Sequence, residues 1–218
     1  MFNLISQLCK LKTADISDAQ SEIMGGNNFG RFSGTNIRNL NPQAGILCGY
    51  AVTCTIDTTS LVKGPRITYA LYEKIESSPN PVVVVIQGIG QDLSHTAVFG
   101  GRMAAISKKI GACGVVTNVG VRDIDEIFRE GLGCYAAGVC PSAGTFTIKS
   151  INVPVEIGST KIKPGDIVHG DKDGFIVLGD KRIAEIISIA QKKQKEEQSY
   201  IKFLNSPEFS VSEMRRRF

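Results

Sequence analysis

Residues 101–141 decide the fold, and their sequence is GRMAAISKKIGACGVVTNVGVRDIDEIFREGLGCYAAGVCP. The hydrophobic pattern predicts a helix from Gly101, a buried strand, a tight turn, a second helix and a short strand. Asp123 is a favourable N-cap for the second helix, and Gly131 is a favourable stop. We expect the amino terminus of the first helix to face the same cavity as Arg122, which directly precedes Asp123.

The start of the second helix carries charged residues suited to binding a metal ion and an anion. Asp123 and Glu126 lie about one turn apart on one face, and two carboxylates so placed suit a hard divalent cation such as Mg²⁺. Arg122 offers a planar guanidinium that matches a carboxylate, and the free N–H groups of the helix terminus also favour an anion. A second interpretation needs no ligand. An Asp N-cap with a Glu three residues later is a common capping arrangement, and for these three residues alone it is the more frequent explanation.

The composition is that of an ordinary globular chain. The 218 residues are 42% hydrophobic and 21% charged, enough to bury a core without disulfides or a structural metal. No apolar run could span a membrane, and the first residues lack the order of a secretory signal, so we expect a cytoplasmic protein. The six cysteines lack zinc-site spacing and only two histidines are present, so a structural zinc site is not expected.

The net charge is +4, and much of it lies near the carboxyl terminus, at Lys192, Lys193, Lys195 and residues 215–217. A nucleic-acid surface would need aromatic residues interleaved with cations on a groove, and none is evident. We interpret these residues as a solvated helix face and a basic tail, and we do not expect nucleic-acid binding.

The residues before the central segment predict alternating helices and strands. Ser17 is expected to cap a helix that ends at Met24, before Gly25 and Gly26. Gly49 is expected to form a bulge in a strand. The other predictions are a helix at 3–12, a loop at 27–43, that strand at 46–57, a turn at Gly64-Pro65, a helix at 66–76 and a buried strand at 82–86.

Gln87-Gly88-Ile89-Gly90 follows the buried strand and partly matches a dinucleotide-binding fingerprint. Leu93 stands where the third glycine is required, so we set that interpretation aside. Residues 88–101 are better interpreted as one wall of a pocket. The lone His95 in this loop is more commonly solvent-exposed than a ligand.

The residues after the central segment predict short strands, turns and a final helix. The strands are 153–157, 167–169 and 175–178, with turns at 163–166 and 173–174. Asp180 is expected to cap a helix at 181–204. The second half of that helix lacks an apolar face, which favours docking on another subunit or solvation.

Several motifs resemble the RraA-like family, which includes class II 4-hydroxy-4-methyl-2-oxoglutarate aldolases and regulators of ribonuclease activity. The most specific is the spacing of Gly101, twenty residues, Arg122-Asp123, two residues and Glu126. The others are T-x-x-I-S-D-A at 13–19, G-x-A-x-T at 49–53 and P-G-D-I-V-H-G-D-K-D-G at 164–174. The resemblance covers about residues 13–204.

The resemblance implies a layered α/β domain with a swivelling β/β/α-type core and a long C-terminal helix. It would be a single domain over 1–218, with its core at about 13–204 and a tail at 205–218. The implied assembly is a homotrimer or a homohexamer with sites between subunits.

The implied activity is divalent-metal-dependent cleavage of a 4-hydroxy-2-oxo acid to pyruvate, with oxaloacetate decarboxylation as a further activity. Arg122 and Asp123 would be the catalytic residues. Arg122 and the backbone at Gly101, Arg102 and Met103 would bind the substrate. Mg²⁺ or Mn²⁺ would be held by Asp123, by Glu126, and by Glu197 of a neighbouring subunit, with Glu196 as the alternative to Glu197.

One position departs from the common pattern of the family. Many of its aldolases carry Asp or Glu where Gly101 stands, whereas a subset has Gly there and a carboxylate at the position of Glu126. The main alternative is a non-catalytic protein-binding regulator of the ribonuclease-inhibitor type. Asp123 argues against it, since that branch tends to lack this acidic residue. Another enzyme class, including the methyltransferase label given to some relatives of this fold, is the third hypothesis.

Overall fold

The computed structural model describes residues 2–59, 69–179 and 181–217. The helices in these ranges are α1 (Phe2–Leu8), α2 (Thr13–Met24), α3 (Tyr69–Glu76), α4 (Gly101–Lys109), α5 (Ile124–Arg129), α6 (Ile183–Leu204) and α7 (Val211–Arg217). The strands are β1 (Arg38–Asn39), β2 (Leu47–Asp57), β3 (Val82–Ile89), β4 (Ala97–Phe99), β5 (Ala112–Thr117), β6 (Gly120–Val121), β7 (Gly133–Ala136), β8 (Gly138–Val139), β9 (Thr147–Ile151), β10 (Val155–Ile157), β11 (Thr160–Ile162), β12 (Ile167–Asp171) and β13 (Gly174–Leu178). None of these helices has the length and apolar character that crossing a membrane requires.

A mixed sheet forms the centre of the fold. Its strand order is β1-β7-β5-β3-β2-β12-β13, and β9 also pairs with β2. Strands β2, β3, β5 and β7 run parallel, whereas β1, β9, β12 and β13 join antiparallel. The sheet is nearly closed into a barrel. The predicted layered α/β fold with a long C-terminal helix is therefore confirmed.

Strand β3 shows why the sheet is buried on both faces. Val82, Val84 and Ile86 pack with residues of α3 and α4. Val83 and Val85 point the other way and pack with residues of β10, β11 and β13. Because successive side chains of a strand alternate between faces, a strand covered on both sides needs the unbroken apolar run seen here.

Three short strands position the starts of two helices. Strands β4, β6 and β8 form a separate parallel sheet, in which Gly120 of β6 pairs with Ala97 of β4 and with Gly138 of β8. Helix α4 follows β4 and helix α5 follows β6. Because neighbouring parallel strands end at the same edge of a sheet, the amino termini of α4 and α5 come together, and the two helices pack on each other.

The start of α2 differs from its prediction. The helix begins at Thr13, so Ser17 lies inside it and is not its cap, while Gly25 ends it as expected in the left-handed conformation. The reason is a tertiary contact: the Thr13 N–H donates to Asp171 Oδ2 of β12 at 2.8 Å, which satisfies a free N–H of the first turn.

Buried His169 reinforces the same junction. Its Nδ1 lies 3.1 Å from Thr13 Oγ1, and its Nε2 lies 3.1 Å from the Leu8 carbonyl oxygen. Burial lowers the pKa of His169 to about 4. One neutral imidazole therefore joins α1 and α2 to β12.

The predicted bulge at Gly49 is wrong. Gly49 pairs with Val168 in regular register, and the irregularity in β2 lies instead between Thr55 and Ile56, opposite β9. A Cβ at Gly49 would lie 2.6 Å from the Pro81 carbonyl oxygen. Glycine is needed at this position because the backbone at Pro81 approaches too closely for a side chain.

The carboxyl-terminal part follows its predictions with small shifts. Strands β12 and β13 form a hairpin in which Asp171 pairs with Gly174, so the turn lies one residue earlier than predicted. The predicted tail contains α7, whose Arg217 pairs with Glu208 and Glu213 and lies 4.6 Å over the Phe203 ring of α6. The predicted Asp180 cap, the turn at Gly64-Pro65 and the first residues of the helix at 66–76 lie outside the described residues.

Candidate active site

A cavity of about 410 Å³ opens where α4 and α5 begin. Apolar side chains form most of its lining, and the charged groups come from Arg102, Arg122 and Asp123. Part of the predicted pocket wall lies here, because residues 97–100 line the cavity, whereas His95 is outside the lining. The described residues that line it are Ala97, Val98, Phe99, Gly100, Arg102, Met103, Arg122, Asp123, Ala143 and Phe146.

Asp123 is the N-cap residue of α5, but its side chain makes no capping hydrogen bond to that helix. Its Oδ2 instead accepts a hydrogen bond from the Gly101 N–H at 3.1 Å, at the amino terminus of α4. Its φ of 53° lies in the left-handed region, where residues other than glycine are uncommon and often belong to functional sites. The simple capping interpretation is therefore wrong, since the carboxylate serves a neighbouring helix and lines the cavity.

Arg122 holds a positive charge beside this carboxylate. Its Nε lies 3.5 Å from Asp123 Oδ2, and the two side chains are 41% and 44% exposed. The Arg122 backbone N–H donates to the Phe99 carbonyl oxygen at 3.0 Å, which fixes the start of the side chain against β4. An anionic ligand in the cavity can therefore reach the guanidinium of a residue whose backbone is held in place.

Gly101 and Glu126 fit together where the two helices meet. A Cβ at Gly101 would lie 2.8 Å from Glu126 Cβ, 2.9 Å from its Cγ and 3.5 Å from Asp123 Cβ. The side chains of Asp123 and Glu126 therefore both start next to Gly101. Glu126 Oε1 also lies 3.7 Å from Arg129 Nη1, a weak contact between exposed groups. The missing side chain at position 101 makes room for the carboxylate-bearing side chain at position 126.

Arg102 and Met103 bring the first turn of α4 to the cavity, since both line it. The first intrahelical bond runs from the Ala104 N–H to the Gly100 carbonyl oxygen. The N–H groups of Arg102 and Met103 precede it, so they have no acceptor within the helix. The helix dipole also favours negative charge at this end.

Ala143 and Phe146 close the apolar side of the cavity and were not predicted from the sequence. Phe146 is 5% exposed. They follow β8, which pairs with β6. Their position after β8 could have identified them, because residues that follow neighbouring parallel strands meet at one edge of a sheet. The strand itself was not recognised in the sequence because β8 is only two residues long.

Glu197 and Glu196 lie elsewhere in the chain, on α6. Glu197 Oε2 pairs with Lys12 Nζ at 3.2 Å, and Glu196 Oε1 lies 3.7 Å from Lys192 Nζ. Within the described residues, no three His, Cys, Asp or Glu side chains are grouped so that they could hold a metal ion. One chain thus brings together Asp123 and Glu126, and the predicted third carboxylate would have to come from a neighbour.

The carboxylates near the cavity are of the kind that a hard divalent cation prefers. Asp123 lines the cavity, whereas Glu126 lies beside it across Gly101, and both side chains are about half exposed. Mg²⁺ commonly keeps several waters and uses one or two carboxylates together with substrate oxygens. The described residues that line this cavity include neither His nor Cys, the side chains that zinc prefers.

Comparison with known proteins gives relatives of two kinds. A protein of Arabidopsis thaliana named "Putative 4-hydroxy-4-methyl-2-oxoglutarate aldolase 3" is 33% identical over 122 residues, covering 52% of this chain and 72% of that protein. An uncharacterised protein of Methanocaldococcus jannaschii is 34% identical over 152 residues, covering 65% of this chain and 72% of that protein.

Solved structures share the fold at lower identity. An uncharacterised Pseudomonas syringae protein matches with a TM-score of 0.78 and 22% identity, covering 100% of this chain and 95% of that one. Streptomyces coelicolor RraAS2, described as an unusual member of the RNase ES inhibitor RraA family, matches with a TM-score of 0.74 and 22% identity, covering 91% and 95%. The family model described as Aldolase/RraA matches residues 13–177. This chain therefore belongs to the RraA-like family, as its motifs predicted.

Proposed function

We propose that this protein is a divalent-metal-dependent lyase that cleaves a 4-hydroxy-2-oxo acid, such as 4-hydroxy-4-methyl-2-oxoglutarate, and releases pyruvate. The observation that carries the proposal is the position of Asp123. Its carboxylate is held at the amino terminus of α4 and beside Arg122, in a largely apolar cavity. Relatives named as aldolases of this type support the substrate class.

Substrate binding is assigned to Arg122 and the first turn of α4. A 2-oxo acid presents a planar carboxylate, which a guanidinium can meet with two parallel N–H donors. The N–H groups of Arg102 and Met103 add dipoles fixed in the helix, so they need no reorganisation when charge develops on the substrate. The apolar wall around Phe146 lowers the local polarity, which strengthens these interactions.

Asp123 and Glu126 are the residues that would hold Mg²⁺ or Mn²⁺. When bound, the cation would supply Lewis-acid polarisation of the 2-oxo group. Asp123 keeps its carboxylate oriented through the Gly101 N–H, and Arg122 balances its charge. The same arrangement suits oxaloacetate decarboxylation, since both reactions break a C–C bond and leave negative charge on a pyruvate fragment.

The proposed assembly is a homotrimer or homohexamer. In it, Glu197 or Glu196 on α6 of a neighbouring subunit completes the carboxylate set. Support comes from the polar, exposed second half of α6, which places both groups on the surface of one chain.

The alternative function is a non-catalytic regulator of the ribonuclease-inhibitor type. The fold is compatible with it, since RraA proteins are among the structural neighbours. Such a role needs neither an oriented carboxylate nor an adjacent arginine in a cavity. The two functions separate in a direct assay of pyruvate release.

The test uses Asp123→Asn with Asp125→Asn as a matched control. Asp125 is exposed on the first turn of the same helix and does not line the cavity. The Asp123 variant should lose metal-dependent pyruvate release, and EDTA should abolish the wild-type reaction, while the control keeps near-normal turnover. Activity that survives both EDTA and Asp123→Asn would contradict the proposed metal role. No pyruvate release from any 4-hydroxy-2-oxo acid would contradict the function.

A further inference from the structure

A second cleft, here named the basic cleft, lies between the end of α2, the start of α6 and the turn after β11. Phe29, Arg31, Lys161, Lys163, Lys181 and Arg182 are the lining residues that define it. Its volume is about 990 Å³, at the upper end of the range for small-molecule sites. Among the described residues, it shares no lining residue with the candidate active site.

Positive charge dominates the basic cleft. Five of its described lining residues are cationic and one, Asp166, is acidic. Asp166 Oδ2 accepts from the Lys163 N–H at 2.8 Å, so this carboxylate also closes its own turn. Asp180 lies outside the described residues, and cations remain in excess even if its charge is counted.

Arg182 has a structural role in the cleft. Its Nε and Nη2 each donate to the Glu185 carboxylate at 2.7 Å, and Nη1 donates to the Ile23 carbonyl oxygen at 3.4 Å. It thereby joins the start of α6 to the end of α2. Arg31, Lys161, Lys163 and Lys181 are the exposed cations that remain for a ligand.

The backbone that carries three of these cations is fixed by hydrogen bonds. The Arg31 carbonyl oxygen accepts from the Val177 N–H at 2.7 Å, which ties it to β13. The Lys161 N–H donates to the Gly30 carbonyl oxygen at 3.3 Å, and Lys163 lies in the turn closed by Asp166. Charges on a fixed backbone lose less entropy when they bind an anion.

An exposed aromatic ring stands beside the cations. Phe29 is 79% exposed, although large apolar side chains usually lose most of their surface. Its N–H donates to Asn27 Oδ1 at 2.7 Å, and its ring lies 5.9 Å from that of Phe32. An exposed ring next to a positive groove is the arrangement on which proteins stack nucleobases.

We propose that the basic cleft binds a nucleoside di- or triphosphate. The phosphates lie against Arg31, Lys161 and Lys163, and the base stacks on Phe29. Arg31 meets phosphate oxygens through a planar fork, and the two lysines act as point charges. The site is separate from the cavity at Asp123, so its occupancy can be measured without the lyase reaction.

The experiment titrates the full chain with ADP, with pyrophosphate and with a single-stranded RNA oligonucleotide, using calorimetry. The variant is Lys161→Gln with Lys163→Gln, and its matched control is Lys192→Gln with Lys195→Gln on exposed α6. We expect saturable ADP binding that weakens about tenfold or more in the first variant and less than about twofold in the control. Phe29→Ala should weaken ADP binding but leave pyrophosphate binding unchanged.

Three results would overturn the proposal. The first is no saturable ADP binding up to about 5 mM. The second is equal weakening by both lysine pairs, which would show non-specific attraction to a positive surface. The third is binding of the RNA oligonucleotide without binding of ADP, which would make the cleft a strand-binding surface. Equal ADP affinity of Phe29→Ala and the wild type would refute the stacking role.

Discussion

The backbone and the side chain of Asp123 act on different helices. Its carbonyl oxygen accepts from the N–H groups of Glu126 and Ile127 and so starts α5, while its carboxylate receives the first N–H of α4. Asparagine also tolerates the left-handed backbone and can accept the Gly101 hydrogen bond. Asp123→Asn should therefore remove the negative charge and keep the local fold, which makes it a suitable test of chemistry.

The first prediction at the residue scale concerns Arg122→Lys. Lysine keeps the charge but loses the planar fork, so kcat should fall and KM should rise. The expected loss is about 2–4 kcal/mol in transition-state stabilisation, on the order of 10² to 10³ in rate. Kinetics and thermal melting are measured on the same sample. A lower melting temperature with unchanged turnover per folded molecule would show that Arg122 only braces the turn between β6 and α5.

The second residue-scale prediction concerns the contact between Gly101 and Glu126. Gly to Ala in a helix normally stabilises by roughly 0.5–1 kcal/mol. Here the new methyl group would meet Glu126 Cβ and Cγ, so Gly101→Ala should destabilise by about 1–3 kcal/mol. Glu126→Gly removes both opposing atoms and costs about 1 kcal/mol of helix propensity.

The double variant of Gly101→Ala and Glu126→Gly should lose less stability than the two single variants together. The measurement is denaturant unfolding of all four proteins, which gives their coupling free energy. Strict additivity would mean that the two positions do not compete for space.

At the scale of elements, the sequence predicted those helices and strands whose positions depend on nearby residues alone. The apolar run of β3, the start of α4 at Gly101 and the left-handed glycine after α2 were all predictable. The predictions of a cap at Ser17 and a bulge at Gly49 were wrong. The start of α2 is determined by Asp171, and the glycine at position 49 is required by the backbone at Pro81. Both of these partners are distant in sequence. The expected hydrogen bond of the Asp123 carboxylate to its own helix was wrong for the same reason, since the carboxylate accepts from the N–H of Gly101 instead.

The junction of α1 and α2 with β12 predicts a dependence of stability on pH. The pKa of His169 is about 4 in the folded protein, against 6.5 for an ordinary histidine. Between about pH 6.5 and pH 4, His169 therefore binds a proton in the unfolded chain but not in the folded protein. Stability from this group is complete above about pH 6.5 and falls by about 3 kcal/mol in total as the pH drops to 4.

The measurement is the free energy of unfolding between pH 4 and pH 7, for the wild type, His169→Gln and His95→Gln. Carboxylates titrate in the same range, so the difference between proteins is the relevant quantity. His169→Gln should flatten the slope between pH 4.5 and 6.5. Exposed His95 provides the control, and its variant should keep the wild-type slope. Equal slopes in all three proteins would contradict the role of His169.

At the scale of the whole molecule, the proposed shared site requires an oligomer. Sedimentation should show a trimer or hexamer, and Glu197→Gln should lose activity. Its stability should change little, because the pair of Glu197 with Lys12 is exposed. Mixing inactive Asp123→Asn with inactive Glu197→Gln subunits should restore part of the activity, since some interfaces then combine two intact contributions. A fully active monomer would contradict a site that needs a neighbour.

The family motifs predicted the fold and the residues brought together at the cavity better than they predicted its far wall. Arg122, Asp123, Glu126 and the start of α4 meet because two parallel strands end at one edge. Ala143 and Phe146 follow a strand too short to recognise by periodicity. The basic cleft was also hidden, because its cations come from three separate segments of the chain.

The contacts of α1 and α2 constrain the order in which the protein is completed during its synthesis. Leu8, Thr13 and Gln20 all bind residues of β12 or β13, about 156 to 161 positions later in the chain. Both helices therefore wait for these partners until β12 and β13 have been translated. The apolar faces of α1 and α2 are exposed during that interval, so these two helices need chaperone protection until their partner strands are made.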